Sequence, residues 1–156
     1  MKTSQSHSIA SILEPDTASP LRQAEASLVS PQLSARKLGQ LGEQYVALWL
    51  ESLGWQILDR NWSTRYGELD IVALDRRSCL AFVEVKTRRT RTFGQPEEAV
   101  TYSKQTKLKH AAVQWLIARN RTNRHCVTRF DVAAVSVSAG SSDNPRVSIK
   151  LIQGAF

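Results

Sequence analysis

The sequence predicts an α/β domain with the element order αβββαββ, a mixed central sheet flanked by helices. Three observations lead there. Apolar residues recur at helical spacing around residues 38–53 and again around 96–116. Short segments with period-two or near-continuous apolar character lie between and after them. Turn-forming residues punctuate these segments.

Ser34 can N-cap the first helix and Gly54 can end it. Leu38, Leu41, Tyr45, Leu48, Trp49 and Leu53 form its apolar stripe, and Lys37, Gln40, Gln44 and Glu51 its solvent face. Glu43 falls on a flank with Val46, Ala47 and Leu50 that should pack inward. A glutamate there needs a reason.

Residues 55–60 read as a first strand, and Asn61 to Gly67 as a polar connection with turn residues. Residues 68–74 and 80–87 read as the second and third strands, separated by the turn Asp75-Arg76-Arg77-Ser78. Pro96, Glu97 and Glu98 open helical sequence. Leu108, Ala111, Ala112, Trp115 and Leu116 continue it, as one helix or as two with a break near residues 101–103. Valine-rich residues 127–138 and residues 147–152 are the last two strands, with Asp143-Asn144-Pro145 turning the chain between them.

The first 34 residues differ in kind. They hold eight serines, three of the five prolines and none of the eleven aromatics. Such a segment buries too little apolar surface to offset its ordering entropy. Residues 1–34 are therefore expected to be a disordered or weakly ordered tail, with room for a short helix at 21–29, and residues 35–156 the domain. The chain carries +7 overall, yet the tail is slightly acidic, so the body alone carries +8. That excess favours polyanionic partners.

Several classes are excluded. No apolar run approaches the ~20 residues of a membrane helix. No secretory signal pattern opens the chain. Cys79 and Cys126 lie too far apart for a Cys-x-x-Cys motif. His7, His110 and His125 lack zinc spacing, and no phosphate-binding glycine loop is present. The expectation is a cytoplasmic protein with reduced thiols and no membrane association.

The third strand carries the chemistry. Leu80, Phe82, Glu84 and Lys86 share one face, while Ala81, Val83 and Val85 share the other. A strand apolar on both sides is central in its sheet, and charges at its end are costly unless paired or ligated. Asp70 shares a face with Val72 and Leu74 in the second strand. Asp70 meets Glu84 on one face if paired residue numbers sum to 154; a sum of 153 separates them. The expected register is 154, with an odd-length loop at residues 76–78. Two such carboxylates can hold a hard divalent cation, Mg²⁺ or Mn²⁺. Such a cation assists phosphodiester hydrolysis. Lys86 could orient water or stabilise charge on phosphorus, and Glu43 could reach the same metal from the helix.

Asp70, followed after thirteen residues by Glu84-Val85-Lys86, resembles the PD-(D/E)xK nuclease motif. The wider pattern resembles the YraN-like family of uncharacterised endonuclease-like proteins. The matching stretches are Gly39-Gln40-Leu41-Gly42-Glu43, Arg60-Asn61, Gly67-Glu68-Leu69-Asp70, Phe82-Val83-Glu84-Val85-Lys86-Thr87-Arg88, Phe93-Gly94-Gln95-Pro96, Lys104-Gln105 and Arg129-Phe130-Asp131. The resemblance covers about residues 35–156. The resemblance implies a restriction-endonuclease-like fold, related to archaeal Holliday-junction resolvases. It implies Glu43, Asp70 and Glu84 as metal ligands, Lys86 as catalytic lysine and Gln105 as an auxiliary site residue. Leu69 stands where the motif's proline would be. Resolvase relatives act as dimers, so the resemblance admits a homodimer.

Arg88, Arg89 and Arg91, with Lys104 and Lys107 on the next helix, make a candidate phosphate track for DNA. Arg119, Arg121, Arg124 and His125 could extend it, and Tyr66 and Phe93 could stack on bases. Against these stand plainer readings. Glu84 and Lys86 could form a cross-strand salt bridge, Glu43 could be a surface carboxylate, and the basic run a solvated face. Glu68 alternates away from Asp70, and Asp131 beside Arg129 reads as a structural pair. The leading expectation is a metal-dependent nuclease on DNA, branched or flapped. The alternatives are a non-catalytic nucleic-acid-binding module and a protein-interaction domain.

Overall fold

The computed structural model describes residues 19–90, 100–121, 127–138 and 146–156. The order is α1 (Pro20–Leu28), α2 (Ala35–Ser52), β1 (Gln56–Thr64), β2 (Gly67–Leu74), β3 (Leu80–Thr90), α3 (Tyr102–Ala118), β4 (Thr128–Ser138) and β5 (Arg146–Ile152). From α2 onward this is the expected αβββαββ, an arrangement consistent with a restriction-endonuclease-like core.

Helix α1 lies where the sequence leaves room for a short helix, at residues 21–29. Ser19 caps it by accepting from the Arg22 N–H, and Pro20 sits where a missing N–H costs nothing. It lies against α2 and buries Ala24 and Leu28 in the core. Helix α1 therefore packs on the core although its composition reads as tail. Two buried side chains and a cap suffice, and neither registers in an average over 34 residues.

Helix α2 starts at the expected cap, Ser34, whose hydroxyl accepts from the Lys37 N–H at 3.2 Å. Gly54, at φ 84°, turns the chain out of it. Val46 and Leu50 are fully buried, and Lys37, Gln40, Gln44 and Glu51 face solvent as the wheel requires.

Among the described residues the strands form one sheet in the order β1-β2-β3-β4-β5. Only β3 and β4 are parallel, with α3 lying between them in the chain. Helix α2 covers one face, against Ile71, Val83 and Val135. Helix α3 covers the other, where Leu108, Ala111 and Trp115 meet Val72, Phe82 and Val132. With layers on both faces, β3 is apolar on both sides, as its sequence requires.

Ile71 pairs with Val83 and Val72 with Phe82, which is the 154 register. The loop that sets it is closed by Asp75 and Cys79 around residues 76–78. Asp75 Oδ1 accepts from the Arg77 and Cys79 N–H groups, and Ser78 takes φ 61°.

Strand β1 runs longer than expected. It continues through Asn61, at φ 49°, to a two-residue turn at Arg65 and Tyr66. The polar connection expected from Asn61 onward is thus mostly strand, because antiparallel pairing to Leu69, Glu68 and Gly67 outweighs local composition. Helix α3 starts at Tyr102, capped by Thr101, where a break was one of the two expectations. Pro96, Glu97 and Glu98 lie outside the described residues.

Asp131 is the structural residue expected. It is fully buried, held by Arg129 Nε through both oxygens at 3.0 Å and by the Gly154 N–H at 2.9 Å. Arg129 also reaches Asp75 at 2.7 Å and lies over the Trp55 ring. Burial works against its charge, but the two carboxylates raise its pKa further still.

Candidate active site

Two carboxylates meet where the β2–β3 ladder ends. Backbone pairing stops at Ile71 and Val83. One step further, the Val85 N–H donates to Asp70 Oδ2 at 2.8 Å. A side chain thus takes the place of a strand carbonyl, and Asp70 is fixed in orientation. The surrounding wall is apolar: Leu69, Phe82, Leu108 and Phe130 line a small cavity with Asp70 and Glu84.

Glu84 is only 7% exposed. Its Oε1 pairs with Lys104 Nζ of α3 at 3.2 Å. Its Oε2 is buried and has no hydrogen-bond partner among the described residues. The consequence appears at Asp70, whose pKa is raised to about 7. Burial is the largest cause, then the charge of Glu84, and more weakly that of Glu43; the Val85 N–H and Lys104 oppose the rise. Two acids are crowded, and Asp70 holds its proton into the neutral range as a result.

Glu43 approaches on α2. An ideal Cβ on Gly42 would lie 1.8 Å from Thr87 Oγ1, so only glycine lets α2 approach β3 this closely. The Glu43 carboxylate accepts from Asn61 Nδ2 at 2.6 Å. The left-handed conformation of Asn61, tolerated by asparagine, accompanies that contact. Asn61 is the site residue that residue-by-residue reasoning missed; its only signal was its place in the Arg60-Asn61 stretch of the resemblance. Glu43 is near enough for its charge to act on Asp70, but it does not join the pair. Among the described residues no three His, Cys, Asp or Glu side chains gather closely enough to hold a metal ion. Asp70 and Glu84 nonetheless fit a hard divalent cation. One buried carboxylate oxygen lacks a donor, two acids repel, and Mg²⁺ commonly takes one or two carboxylates and keeps several waters.

The lysines divide differently from expectation. Lys86 is half-buried and has no ion pair among the described residues; the ammonium touching Glu84 comes from Lys104. The Gln105 amide nitrogen donates to the Val100 carbonyl at 2.9 Å and secures the entry to α3. Arg88 is exposed. Arg89 donates instead to the Ser30 carbonyl, which ties β3 to the α1–α2 connection. Lys107 is exposed on α3, and Arg91, Phe93, Arg124 and His125 lie outside the described residues. Tyr66 meets the His110 ring edge-on at 5.1 Å, with Arg65 over its face. Arg119 pairs with Asp59, and Arg121 lies over Trp115. Among the described residues, no helix is long and apolar enough to cross a membrane.

Comparison with known proteins places this geometry in a family. Residues 42–135, which include Glu43, Asp70 and Glu84, match the uncharacterised protein family UPF0102. A UPF0102 protein of Bifidobacterium longum is 49% identical over 124 residues, spanning 80% of this chain and 96% of its own length. One from Trichlorobacter lovleyi is 50% identical over 119 residues, 76% of this chain and 89% of its own. One from Myxococcus xanthus is 40% identical over 121 residues. With the match taking in Glu43 and the strands that carry Asp70 and Glu84, the chain belongs to the family UPF0102.

Proposed function

We propose that this protein is a divalent-metal-dependent nuclease that hydrolyses phosphodiester bonds in DNA, with branched or flapped DNA as the preferred substrate. The observation that carries the reading is the Asp70–Glu84 pair: two crowded acids, one oriented by a backbone N–H, the other with a buried, donorless oxygen. Mg²⁺ or Mn²⁺ bound there would supply Lewis acidity toward the phosphate and lower the pKa of a coordinated water.

The chain's own groups complete the scheme. Lys86, two residues beyond Glu84 on β3, is the group to neutralise charge building on the scissile phosphate. Asn61 holds Glu43 at the margin, from which it can order a water. Arg88, Lys104 and Lys107 are the backbone contacts that set the register of the strand, and they make binding fall steeply with salt. Arg89, engaged with Ser30, contributes less. The reading places the protein in the cytoplasm with its nucleic-acid substrate.

The test is incubation of purified protein with labelled linear, flapped and four-way-junction DNA in Mn²⁺, Mg²⁺ or EDTA, with a Glu84→Ala control of unchanged circular dichroism. Metal-dependent cutting that the variant loses is expected. Equal cutting by the variant overturns the site. Salt-sensitive binding without product would establish the non-catalytic module instead.

A further inference from the structure

We propose that Lys104 is a built-in, displaceable counter-ion: its ammonium balances Glu84 in the metal-free protein, yields that carboxylate to a divalent cation, and then faces the substrate phosphate. The inference rests on the metal-dependent reading above and names how that site is regulated.

The asymmetry of the pair carries the argument. Lys104 Nζ lies 3.2 Å from Glu84 Oε1, yet the lysine side chain is 42% exposed and the glutamate 8%. Glu84 is fixed in a strand between two packed layers and cannot follow its partner into water. Lys104 has a flexible four-carbon stem and can swing out at little cost. Only Oε1 is engaged, and the buried Oε2 still lacks a donor. A structural ion pair in a protein interior ordinarily satisfies both oxygens, as Arg129 does for Asp131.

The position of Lys104 in its helix is a second, independent observation. Its backbone N–H donates to the Thr101 cap, so it occupies the first turn of α3. The helix dipole disfavours a cation there. The same first turn, freed of Glu84, aims the ammonium and the positive helix end together at an anion. One residue thereby serves two charge states of the site, carboxylate before loading and phosphate after it.

The experiment compares Mn²⁺ binding by titration calorimetry for the intact protein, Lys104→Met and Lys107→Met. Lys107 lies on the same helix, is exposed and gives the same change in net charge. Lys104→Met should bind Mn²⁺ roughly two- to fivefold more tightly than Lys107→Met, the gain from losing one competing, partly exposed ion pair. In the unmodified protein, acetylation of Lys104 by an activated ester, followed by mass spectrometry, should accelerate on Mn²⁺ addition while Lys107 stays constant. Equal affinities in the two variants, or Lys104 labelling unmoved at saturating Mn²⁺, would overturn the counter-ion role and leave the metal site standing. Absence of Mn²⁺ binding in all three proteins would overturn the metal reading itself, and this inference with it.

Discussion

Asp70 should make the metal-free protein lose stability as pH rises. Its ordinary pKa is 3.8 and its folded value about 7. Below pH 4 it is protonated both folded and unfolded, and contributes no difference. Between those values the unfolded chain ionises while the folded one holds its proton, so each pH step favours unfolding. Above pH 7 the penalty is constant. Linkage between the two values gives a cost of roughly 2 kcal/mol at pH 5 and about 4 kcal/mol at pH 8. The change across that interval is about 2–3 kcal/mol, an upper bound on the effect. Asp70→Asn removes the titration but keeps an oxygen to accept from the Val85 N–H. Urea denaturation of both proteins in EDTA at pH 5 and pH 8 measures the effect. Wild type should fall by up to that amount relative to the variant, and saturating Mg²⁺ should flatten the slope. Parallel profiles for the two proteins would refute the claim that Asp70 is held protonated by burial and by Glu84.

Gly42→Ala should destabilise by about 1–3 kcal/mol, because its Cβ would collide with Thr87. Adding Thr87→Ala should recover part of the loss in a double-mutant cycle. Asp59→Ala should cost about 1–3 kcal/mol in urea denaturation, since it strands the buried Trp115 indole N–H now bonded at 3.0 Å and frees Arg119. Leu28→Ala should cost about 2–5 kcal/mol by the same measurement, since Leu28 is fully buried. A value near zero would return residues 19–34 to the tail.

Much of this architecture was legible because its signals are local. The Ser34 cap, the α2 stripe and the two-sided burial of β3 each follow from periodicity within one segment. Register was legible only as a choice between two sums, of which one alone puts both acids on one face. Other features depend on partners distant in sequence. Leu28 looks like any apolar residue in a serine-rich segment until α2 is beside it. Asn61 reads as a turn residue, which its positive φ partly honours, although cross-strand pairing keeps it in β1. The neighbour of Glu84 is a lysine 20 positions away rather than the one two along the strand. Alternation gives the direction of Lys86, but only tertiary packing decides which ammonium arrives.

Asp131 and Glu84 together show why the acid pair calls for a functional account. Both are buried carboxylates in adjacent, parallel central strands, so the fold offers its own comparison. Asp131 has what structural burial of a charge requires: a guanidinium on both oxygens and a backbone N–H besides. Glu84 has one half-exposed lysine, an oxygen without a donor and a second acid close enough to push that acid's pKa to about 7. If stability alone decided, an apolar residue at either Asp70 or Glu84 would serve the fold better. Backbone irregularity gathers at the same spot, in the left-handed Asn61 opposite Asp70 and in a ladder bond surrendered to the Asp70 side chain. Local rules broken together, with one buried acid oxygen left donorless, mark a place shaped for something other than folding. The divalent cation proposed above would answer most of these irregularities at once: it would supply the missing partner for Oε2, let Asp70 ionise and give the fixed orientation of Asp70 a purpose.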